Sequence, residues 1–288
     1  MTSSSFPKPP FYIRLAQSIV ALTGGKGEHF LRKVYNKLGL LSGYGRYPFF
    51  DGYMYVPFHN PHSLGERNHT FLQGLRDINF INALYQNLDD FILIDCGAAY
   101  GMISMRLAKL CPKLKKVIAI DPNEQHCEIL NKNLGLTDKE FEVVYGGVSN
   151  FTGKAEIVFP NGPADPYSAY IEPRETGSIS IVQIDDLITE NTMDLALKID
   201  VEGEEISVLE GGAAAIAKAP NVGLFIEIHP EPLARKGNQA QDILKAASKI
   251  RKFKWVLAEL PTHEISEDLP FFEQVDEIRQ YDIIGISQ

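Results

Sequence analysis

The sequence predicts an α/β fold, in which a mostly parallel, doubly wound sheet carries helices on both faces. From residue 90 onward, short apolar runs of strand length alternate with segments whose apolar residues recur at helical spacing. Several of these runs end in an acid or a glycine turn, which is typical of the carboxyl ends of parallel strands that bind a ligand. A length of 288 residues with 44% hydrophobic content is enough to bury a large core.

Residues 1–89 are expected to form an N-terminal extension of helices and an aromatic strand or hairpin. The first ten residues are rich in Ser and Pro, and we expect them to fray. Apolar spacing predicts two short helices between residues 11 and 40, a strand or hairpin at 47–58, and a helix at 70–88. This extension is a candidate for contacts to an acceptor or to a second copy of the chain, so a homo-oligomer stays open.

Residues 90–288 are expected to form the main domain. The predicted strands are 91–95, 116–121, 141–146, 194–199, 222–229, 253–259 and 281–286, and helices start near Tyr100, Asn123, Glu204 and Asn238. A β-type insertion near 150–185 interrupts the alternation, because β-like segments at 155–159 and 178–183 flank a Pro- and Gly-rich loop. We interpret this loop as a lid or flap that contacts an acceptor, and the alternative is a solvated excursion.

The charge and composition of the chain limit the classes of binding partner and the cellular compartment that we expect. A formal net charge of −9 argues against nucleic acid as the main partner, because neutralising phosphates needs a basic surface. The sequence shows no apolar run that approaches a membrane span and no secretory pattern. Cys96, Cys111 and Cys127 form no Cys-x-x-Cys pair, as is typical of buried thiols in a reducing cytosol. We therefore expect a cytoplasmic protein.

The most informative motif is the strand and turn at residues 91–101, FILIDCGAAYG. Four apolar residues lead to Asp95, and Gly97 and Gly101 then let the backbone approach a ligand where a helix begins. A second strand ends in Asp121, a position from which an acid typically binds the two ribose hydroxyls of an adenosine. The two strands together indicate an adenosine-containing cofactor.

The glycine spacing discriminates between such cofactors. Nicotinamide dinucleotides are usually held by Gly-x-Gly-x-x-Gly, and this turn has no Gly-x-Gly pair. Asp95 would repel a pyrophosphate, whereas it would attract the amino group of a methionine moiety. The pattern therefore favours S-adenosylmethionine (SAM). An NAD-dependent oxidoreductase is the alternative, and a non-catalytic binding module is opposed by acids at four strand ends.

A third strand leads into the segment LKIDVEGEEISVLEGG at residues 197–212. It delivers Asp200 at its carboxyl end, where the residue would lie beside the strand of Asp95. Glu202 follows at the start of a helix, where a carboxylate is favoured by the helix dipole. We interpret Glu204 and Glu205 only as charges that complement this dipole.

A fourth strand, GLFIEIHP at residues 223–230, delivers a histidine and a carboxylate together. Glu227 and His229 are two residues apart, so both project to the same face of a strand. A histidine with a nearby carboxylate is a natural general base for a hydroxyl proton. The alternative is a structural imidazole with no role in chemistry.

Six segments resemble the FkbM-type SAM-dependent methyltransferases. They are IDCGAAYG (94–101), IDPN (120–123), GGVS (146–149), DDL (185–187) and, most specifically, KIDVEGE (198–204) with VLEGG (208–212). The resemblance runs from about residue 90 to about residue 259. It implies a class I methyltransferase fold with a Rossmann-like sheet whose last strand is antiparallel, and O-methylation of a sugar, polysaccharide or polyketide-derived hydroxyl.

The resemblance also assigns residues by motif. It implies SAM contacts from Asp95, Gly97, Gly101 and Asp121. We also expect SAM contacts from five further residues within these motifs, Ala99, Tyr100, Pro122, Val148 and Asp200. It places Asp200 and Glu202 near the reacting centre. Two positions depart from the family pattern, since Ala99 stands where Asn is usual and Asp121 where Glu is usual.

These residues suggest a mechanism with open alternatives. Methyl transfer is an in-line displacement, so the acceptor oxygen must be aligned and deprotonated. We expect His229 to take the proton, with Glu227 or Asp200 orienting it. A divalent metal held by Asp200, Glu202, Glu227 and His229 is an open alternative. The acceptor is expected to be a small molecule or a glycan, and RNA methylation is a rival that the acidic charge disfavours.

Overall fold

The computed structural model describes residues 9–24, 26–60, 62–65, 75–159, 169–188 and 193–288. The N-terminal part contains α1 (Phe11–Leu22), α2 (Glu28–Lys37), β1 (Tyr44–Phe49), β2 (Gly52–Pro57), α3 (His62–Gly65) and α4 (Leu75–Asn87). The next elements are β3 (Phe91–Cys96), α5 (Met102–Leu110), β4 (Leu114–Asp121), α6 (Glu124–Leu134) and β5 (Glu140–Tyr145).

A smaller set of strands follows, and the chain then returns to the central sheet. The smaller set contains β6 (Gly147–Val148), β7 (Gly153–Val158), β8 (Tyr170–Pro173) and β9 (Ile179–Val182). The last elements are α7 (Ile184–Leu187), β10 (Asp194–Ile199), α8 (Glu205–Gly211), α9 (Ala213–Lys218), β11 (Val222–Ile228), α10 (Pro230–Arg235), α11 (Ala240–Ile250), β12 (Phe253–Leu257), β13 (Glu264–Ile265), a 3₁₀ turn (Phe271–Glu273) and β14 (Tyr281–Ser287).

The centre of the molecule is an eight-stranded sheet with the order β13-β12-β14-β11-β10-β3-β4-β5. Strands β5, β4, β3, β10 and β11 pair in parallel, and β14 lies antiparallel between β11 and β12. Strands β3 and β10 are buried along their whole length, because helices cover both faces of the sheet. The predicted α/β class is confirmed, with its antiparallel last strand.

The topology creates a crevice at one point of the sheet. After β3 the chain builds β4 and β5 on one side, and it later returns to place β10 and β11 on the other side. The chain therefore leaves the neighbouring strands β3 and β10 towards opposite sides of the sheet. In open α/β sheets, ligands bind outside the carboxyl ends of such a pair of strands. Asp200 follows β10 directly, and Lys198 pairs in register with Asp95 of β3.

The seven predicted strands are all present, and the differences lie at their ends. The strand predicted at 253–259, for example, ends at residue 257, because the chain turns back there to pair with β13. The helix predicted from Glu204 is two short helices, since Gly212 separates α8 from α9. Helix α10 was not predicted, because Pro230 looks like a break in the chain. The first turn of a helix tolerates proline, however, and α10 begins at this residue.

The segment after β5 forms a separate four-stranded sheet with the order β6-β9-β7-β8. The β-like segments predicted at 155–159 and 178–183 correspond to β7 and β9, which pair antiparallel. Strand β8 was not predicted and pairs with β7. Much of the loop interpreted as a lid, residues 160–168, lies outside the described residues.

The N-terminal part packs against one face of the central sheet. The two helices predicted between residues 11 and 40 are α1 and α2, and the predicted hairpin is β1 with β2. The side chain of Asn133 on α6 joins this hairpin to the main domain, because its amide bonds the backbone N–H and C=O of Tyr55 at 2.6 and 2.9 Å. The predicted start of the helix at 70–88 and residues 1–8 lie outside the described residues, and α4 covers 75–87. Among the described helices, none is long and apolar enough to cross a membrane.

Candidate active site

A cleft of about 740 Å³ opens at the carboxyl ends of β3, β4 and β10. The small sheet supplies one wall through apolar side chains of β7 and β8 and the residues next to them. The lining residues are Gly97, Ala99, Ile120, Asp121, Pro122, Asn123, His126, Gly146, Gly147, Val148, Ile157, Phe159, Ala169, Tyr170, Ile171, Asp200, Val201 and Glu202.

The glycine turn after β3 is held tightly against the neighbouring strands. Gly97 has φ +76°, and a Cβ built on it would lie 1.8 Å from the carbonyl oxygen of Asp200. Its backbone N–H and that of Ala98 both donate to the carbonyl of Ile120 at 3.0 Å. Only glycine fits this position, which brings the backbone of β3, β4 and β10 together at the floor of the cleft.

Asp121 is fixed at the tip of β4 and lines the cleft. Its Oδ2 accepts a hydrogen bond from the N–H of Ala99 at 2.8 Å, and its Oδ1 accepts one from the N–H of Asn123 at 2.9 Å. The Nδ1 of His126 lies 3.2 Å from the same Oδ1. These contacts use most of the roughly four lone-pair positions of a carboxylate. Asp121 therefore shapes the glycine turn as well as facing the cleft.

Ala99 adopts a left-handed backbone conformation with φ 48°. Asn tolerates this region much better than Ala, because its short polar side chain bonds locally. The family's usual Asn at this position therefore has a conformational explanation, which the sequence alone did not reveal. Glu202, which also lines the cleft, has a left-handed backbone conformation too, with φ 53°. Such conformations in residues other than glycine are typical of functional sites.

Three residues assigned to the cofactor by motif do not line the cleft. Asp95 is 1% exposed, and its Oδ2 accepts a hydrogen bond from the hydroxyl of Ser104 at 2.6 Å. Tyr100 points towards the N-terminal part, where its hydroxyl accepts from the amide of Asn60 at 3.0 Å. Gly101 is the N-cap residue of α5 and is not part of the cleft lining. Asp95 is thus buried beside Ser104 and Lys198, and its direct contact with a methionine amino group stays a prediction.

The ammonium of Lys198 lies next to the buried carboxylate of Asp95. Its ammonium donates to the carbonyl of Gly97 at 2.6 Å and to Oδ2 of Asp200 at 3.0 Å, and it lies 3.5 Å from Oδ1 of Asp95. Burial lowers the pKa of this lysine, but Asp200 and Asp95 outweigh burial and raise it above its usual value. The lysine is charged and ties the glycine turn to the end of β10.

His229 lies among four carboxylates at the inner edge of the cleft. Its Nε2 is 3.5 Å from Oε1 of Glu202, 3.6 Å from Oε1 of Glu227 and 3.8 Å from Oδ1 of Asp200. Its Nδ1 is 3.5 Å from Oε1 of Glu205. The structure thus brings together all four residues predicted to be catalytic, and it adds a fifth.

The charges in this cluster argue against His229 as the general base. Burial alone lowers the pKa of His229, but the surrounding carboxylates more than offset it and raise the pKa to about 11; they belong to Glu205, Glu227, Asp200 and Glu202. These carboxylates favour the protonated imidazole, which argues against His229 as the base that accepts the hydroxyl proton. Burial raises the pKa of Glu202 to about 7, although the His229 cation opposes the rise.

The sequence interpretation missed the roles of several buried charges. Glu205 does not simply complement a helix dipole, because its side chain is fully buried against His229. Glu204 is buried as well and pairs with Lys236. Lys198 had a signal in the sequence: a lysine inside an otherwise apolar strand needs an acidic partner when it is buried.

Asp282 on β14 was also missed. It stands opposite Glu227 in the register of the sheet and pairs with Arg76 of α4. Burial and the nearby Glu227 raise its pKa to about 8, and Arg76 opposes the rise. No local pattern marks Asp282, since the pairing of β11 with β14 brings together residues far apart in the chain.

Comparison with protein families matches more than half of the chain. The matching family model is described as a methyltransferase FkbM domain and covers residues 95–281. No curated protein matches the chain.

Comparison with solved structures finds matches of low identity. A methyltransferase FkbM from Methylobacillus flagellatus KT is 18% identical with a TM-score of 0.41, over 69% of this chain and 43% of that one, so this chain spans less than half of its length. A SAM-dependent methyltransferase from Aquifex aeolicus is 14% identical with a TM-score of 0.40, over 80% and 94% of the two chains. An rRNA methylase from Streptococcus thermophilus is 14% identical with a TM-score of 0.41, over 73% and 94%.

Proposed function

The chain belongs to the FkbM family of SAM-dependent methyltransferases, and we propose that it methylates a hydroxyl group of a sugar, polysaccharide or related natural-product acceptor. The observation that carries this proposal is the cleft between the glycine turn and the carboxylate cluster. It offers an apolar wall with Asp121 at one end and acidic side chains at the other.

The lining of the cleft supports one orientation of SAM. Asp121 faces the ribose, and the apolar side chains of Val148 and Ile157 face the adenine. The methionine moiety then extends towards Asp200, whose carboxylate attracts its amino group. This arrangement directs the sulfonium methyl group towards Glu202. A pyrophosphate in the same place would meet Asp200, which opposes the NAD-dependent alternative.

The reaction needs a base beside the acceptor oxygen. A lone pair of the hydroxyl oxygen attacks the methyl carbon, the carbon–sulfur bond breaks, and S-adenosylhomocysteine leaves as a neutral thioether. Of the four residues predicted to be catalytic, Asp200 and Glu202 line the cleft. Asp200 is bound to Lys198, so Glu202 is the better placed acceptor of the hydroxyl proton. His229 then acts as a positioning residue behind Glu202.

A methyl-transfer assay with labelled SAM tests this proposal. Purified protein is incubated with methyl-tritiated SAM and a panel of saccharides and hydroxylated natural products, beside total RNA. We expect label in a hydroxyl-bearing acceptor. The Glu202→Gln variant should lower kcat about 10²–10⁴-fold, because a positioned base contributes that much, while its SAM affinity stays unchanged.

Glu210→Gln is the matched control. Glu210 lies on α8, the helix that begins three residues after Glu202. It is exposed and accepts a hydrogen bond from Asn150, so its amide replacement should leave kcat unchanged. Label in RNA alone would assign the chain to the RNA methyltransferases instead. A Glu202→Gln variant with normal turnover would remove Glu202 from the mechanism.

A further inference from the structure

The ligand atoms of Asp200, Glu227 and His229 are arranged closely enough to share one metal ion. One ligand atom from each residue lies within 4.8 Å of the other two. The Nε2 of His229 is 3.8 Å from Oδ1 of Asp200 and 3.6 Å from Oε1 of Glu227. Two ligands of one ion, each at about 2.1 Å from it, are at most about 4.2 Å apart. Both distances to the imidazole therefore suit coordination to a common ion.

These distances are too long for the hydrogen bonds that would otherwise explain the cluster. Charge-assisted N–H···O bonds are about 2.7–2.9 Å long. His229 is 8% exposed, and its Nε2 points between the carboxylates without approaching any of them to that distance. Asp200 keeps Oδ1 available, because its other oxygen accepts from Lys198. The polar atoms thus converge on a space between them.

Glu205 stands behind the imidazole, in the position of a residue that orients a metal ligand. It is fully buried, and its Oε1 accepts a hydrogen bond from the N–H of Gly203 at 3.0 Å and lies 3.5 Å from Nδ1 of His229. Its Oε2 has no hydrogen-bond partner among the described residues. Histidines that bind metals commonly donate their second ring N–H to such a carboxylate, which fixes the ring and its tautomer.

The balance of charge also calls for a cation. Asp95, Asp200, Glu202, Glu205 and Glu227 face one lysine and one histidine within the described part of the site. Asp95 and Glu205 are fully buried and the other three are partly buried, and carboxylates held this close together repel one another strongly unless a cation is placed between them.

We propose that Asp200, Glu227 and His229 bind one divalent transition-metal ion at the inner edge of the cleft, with Glu205 positioning the imidazole. A mixed set of two carboxylates and an imidazole suits Mn²⁺ or Zn²⁺ better than Ca²⁺, which takes oxygen ligands. Binding of the ion does not depend on methyl transfer. Its role, which rests on the proposed function, is to hold the acceptor hydroxyl next to Glu202.

Binding of Mn²⁺ to the protein alone tests the proposal. The chain is stripped with EDTA, desalted and titrated with Mn²⁺, and the free ion is measured by electron paramagnetic resonance. We expect one saturable ion per chain. Glu227→Gln should weaken binding at least tenfold, and Glu205→Gln should weaken it about 10–100-fold, the usual loss when an orienting carboxylate is removed. Glu210→Gln, on the same helix as Glu205 but exposed, should bind as the wild type does.

Pulsed measurement of nitrogen coupling identifies the ligand without relying on a folded Glu227 variant. Bound Mn²⁺ should show coupling to an imidazole nitrogen in the wild type, and His229→Gln should lose it. A wild-type chain that binds no Mn²⁺, or a Glu227→Gln variant that is folded and binds it equally well, would overturn the site. SAM calorimetry on the same samples separates the two proposals, because SAM binding without Mn²⁺ binding defeats the metal site and leaves the proposed function standing.

Discussion

Gly97→Ala is the substitution whose effect the structure defines most closely. Alanine at this position keeps φ near +76° and places its Cβ 1.8 Å from the carbonyl oxygen of Asp200. The glycine turn and the end of β10 must then separate by more than about 1 Å to restore a normal contact. Two hydrogen bonds cross this junction: Asp200 N–H donates to Cys96 at 3.1 Å, and Lys198 donates to Gly97 at 2.6 Å.

The expected loss of stability is the sum of a backbone cost and a hydrogen-bond cost. The left-handed backbone costs an alanine about 1–2 kcal/mol. Weakening one neutral and one charged hydrogen bond costs roughly 2–4 kcal/mol more. The free energy of unfolding should therefore fall by roughly 3–6 kcal/mol, and the affinity for SAM should fall at least tenfold, because Asp200 moves with the strand end.

Gly237→Ala separates the two contributions. Gly237 has φ +75°, but a Cβ there meets nothing within 4 Å, so this variant should lose only the conformational cost of about 1–2 kcal/mol. Guanidinium unfolding followed by far-ultraviolet circular dichroism gives both values. Equal losses in the two variants would refute the close approach of Gly97 to Asp200.

Three further outcomes are expected. Lys198→Met should cost about 3–5 kcal/mol of unfolding free energy, since it leaves the buried carboxylate of Asp95 unpaired; Lys116→Met on β4, whose partners are exposed, should cost less than about 1 kcal/mol in the same denaturation assay. Burial and the nearby Asp121 raise the pKa of the Cys127 thiol to about 12, so thiolate forms only near that pH; a disulfide reagent at pH 8 should label no cysteine of the native chain and all three in denaturant. Ala99→Asn should raise the melting temperature, as Asn relieves up to about 1 kcal/mol of left-handed strain; a lowered value contradicts this.

The fold was largely predictable from the sequence because its signals are local. Apolar runs that end in Asp95, Asp121 and Asp200 mark parallel strands and their carboxyl ends, and the structure has these strands. Helix α10 was not predictable in the same way, since Pro230 at its start looks like a break in the chain. Strand β8 depends on pairing with β7, and no local pattern marks it.

The sequence predicted several residues of the site, but not which residues each of them contacts. The sequence places Asp200, Glu227 and His229 at strand ends on one side of the sheet, where the structure brings them together. It does not show that Lys198 reaches across from β10 to Asp95, because that contact depends on the register of two strands. The role of Glu205 was hidden for a similar reason: the burial of a helix start depends on which strand it covers.

Calorimetric titration of the purified chain with S-adenosylhomocysteine and, separately, with NAD⁺ tests the central claim, that the cleft beside Gly97 and Asp121 is a SAM site. We expect S-adenosylhomocysteine to bind with one-to-one stoichiometry and NAD⁺ to give no binding heat. Binding of NAD⁺ without binding of S-adenosylhomocysteine would contradict the account.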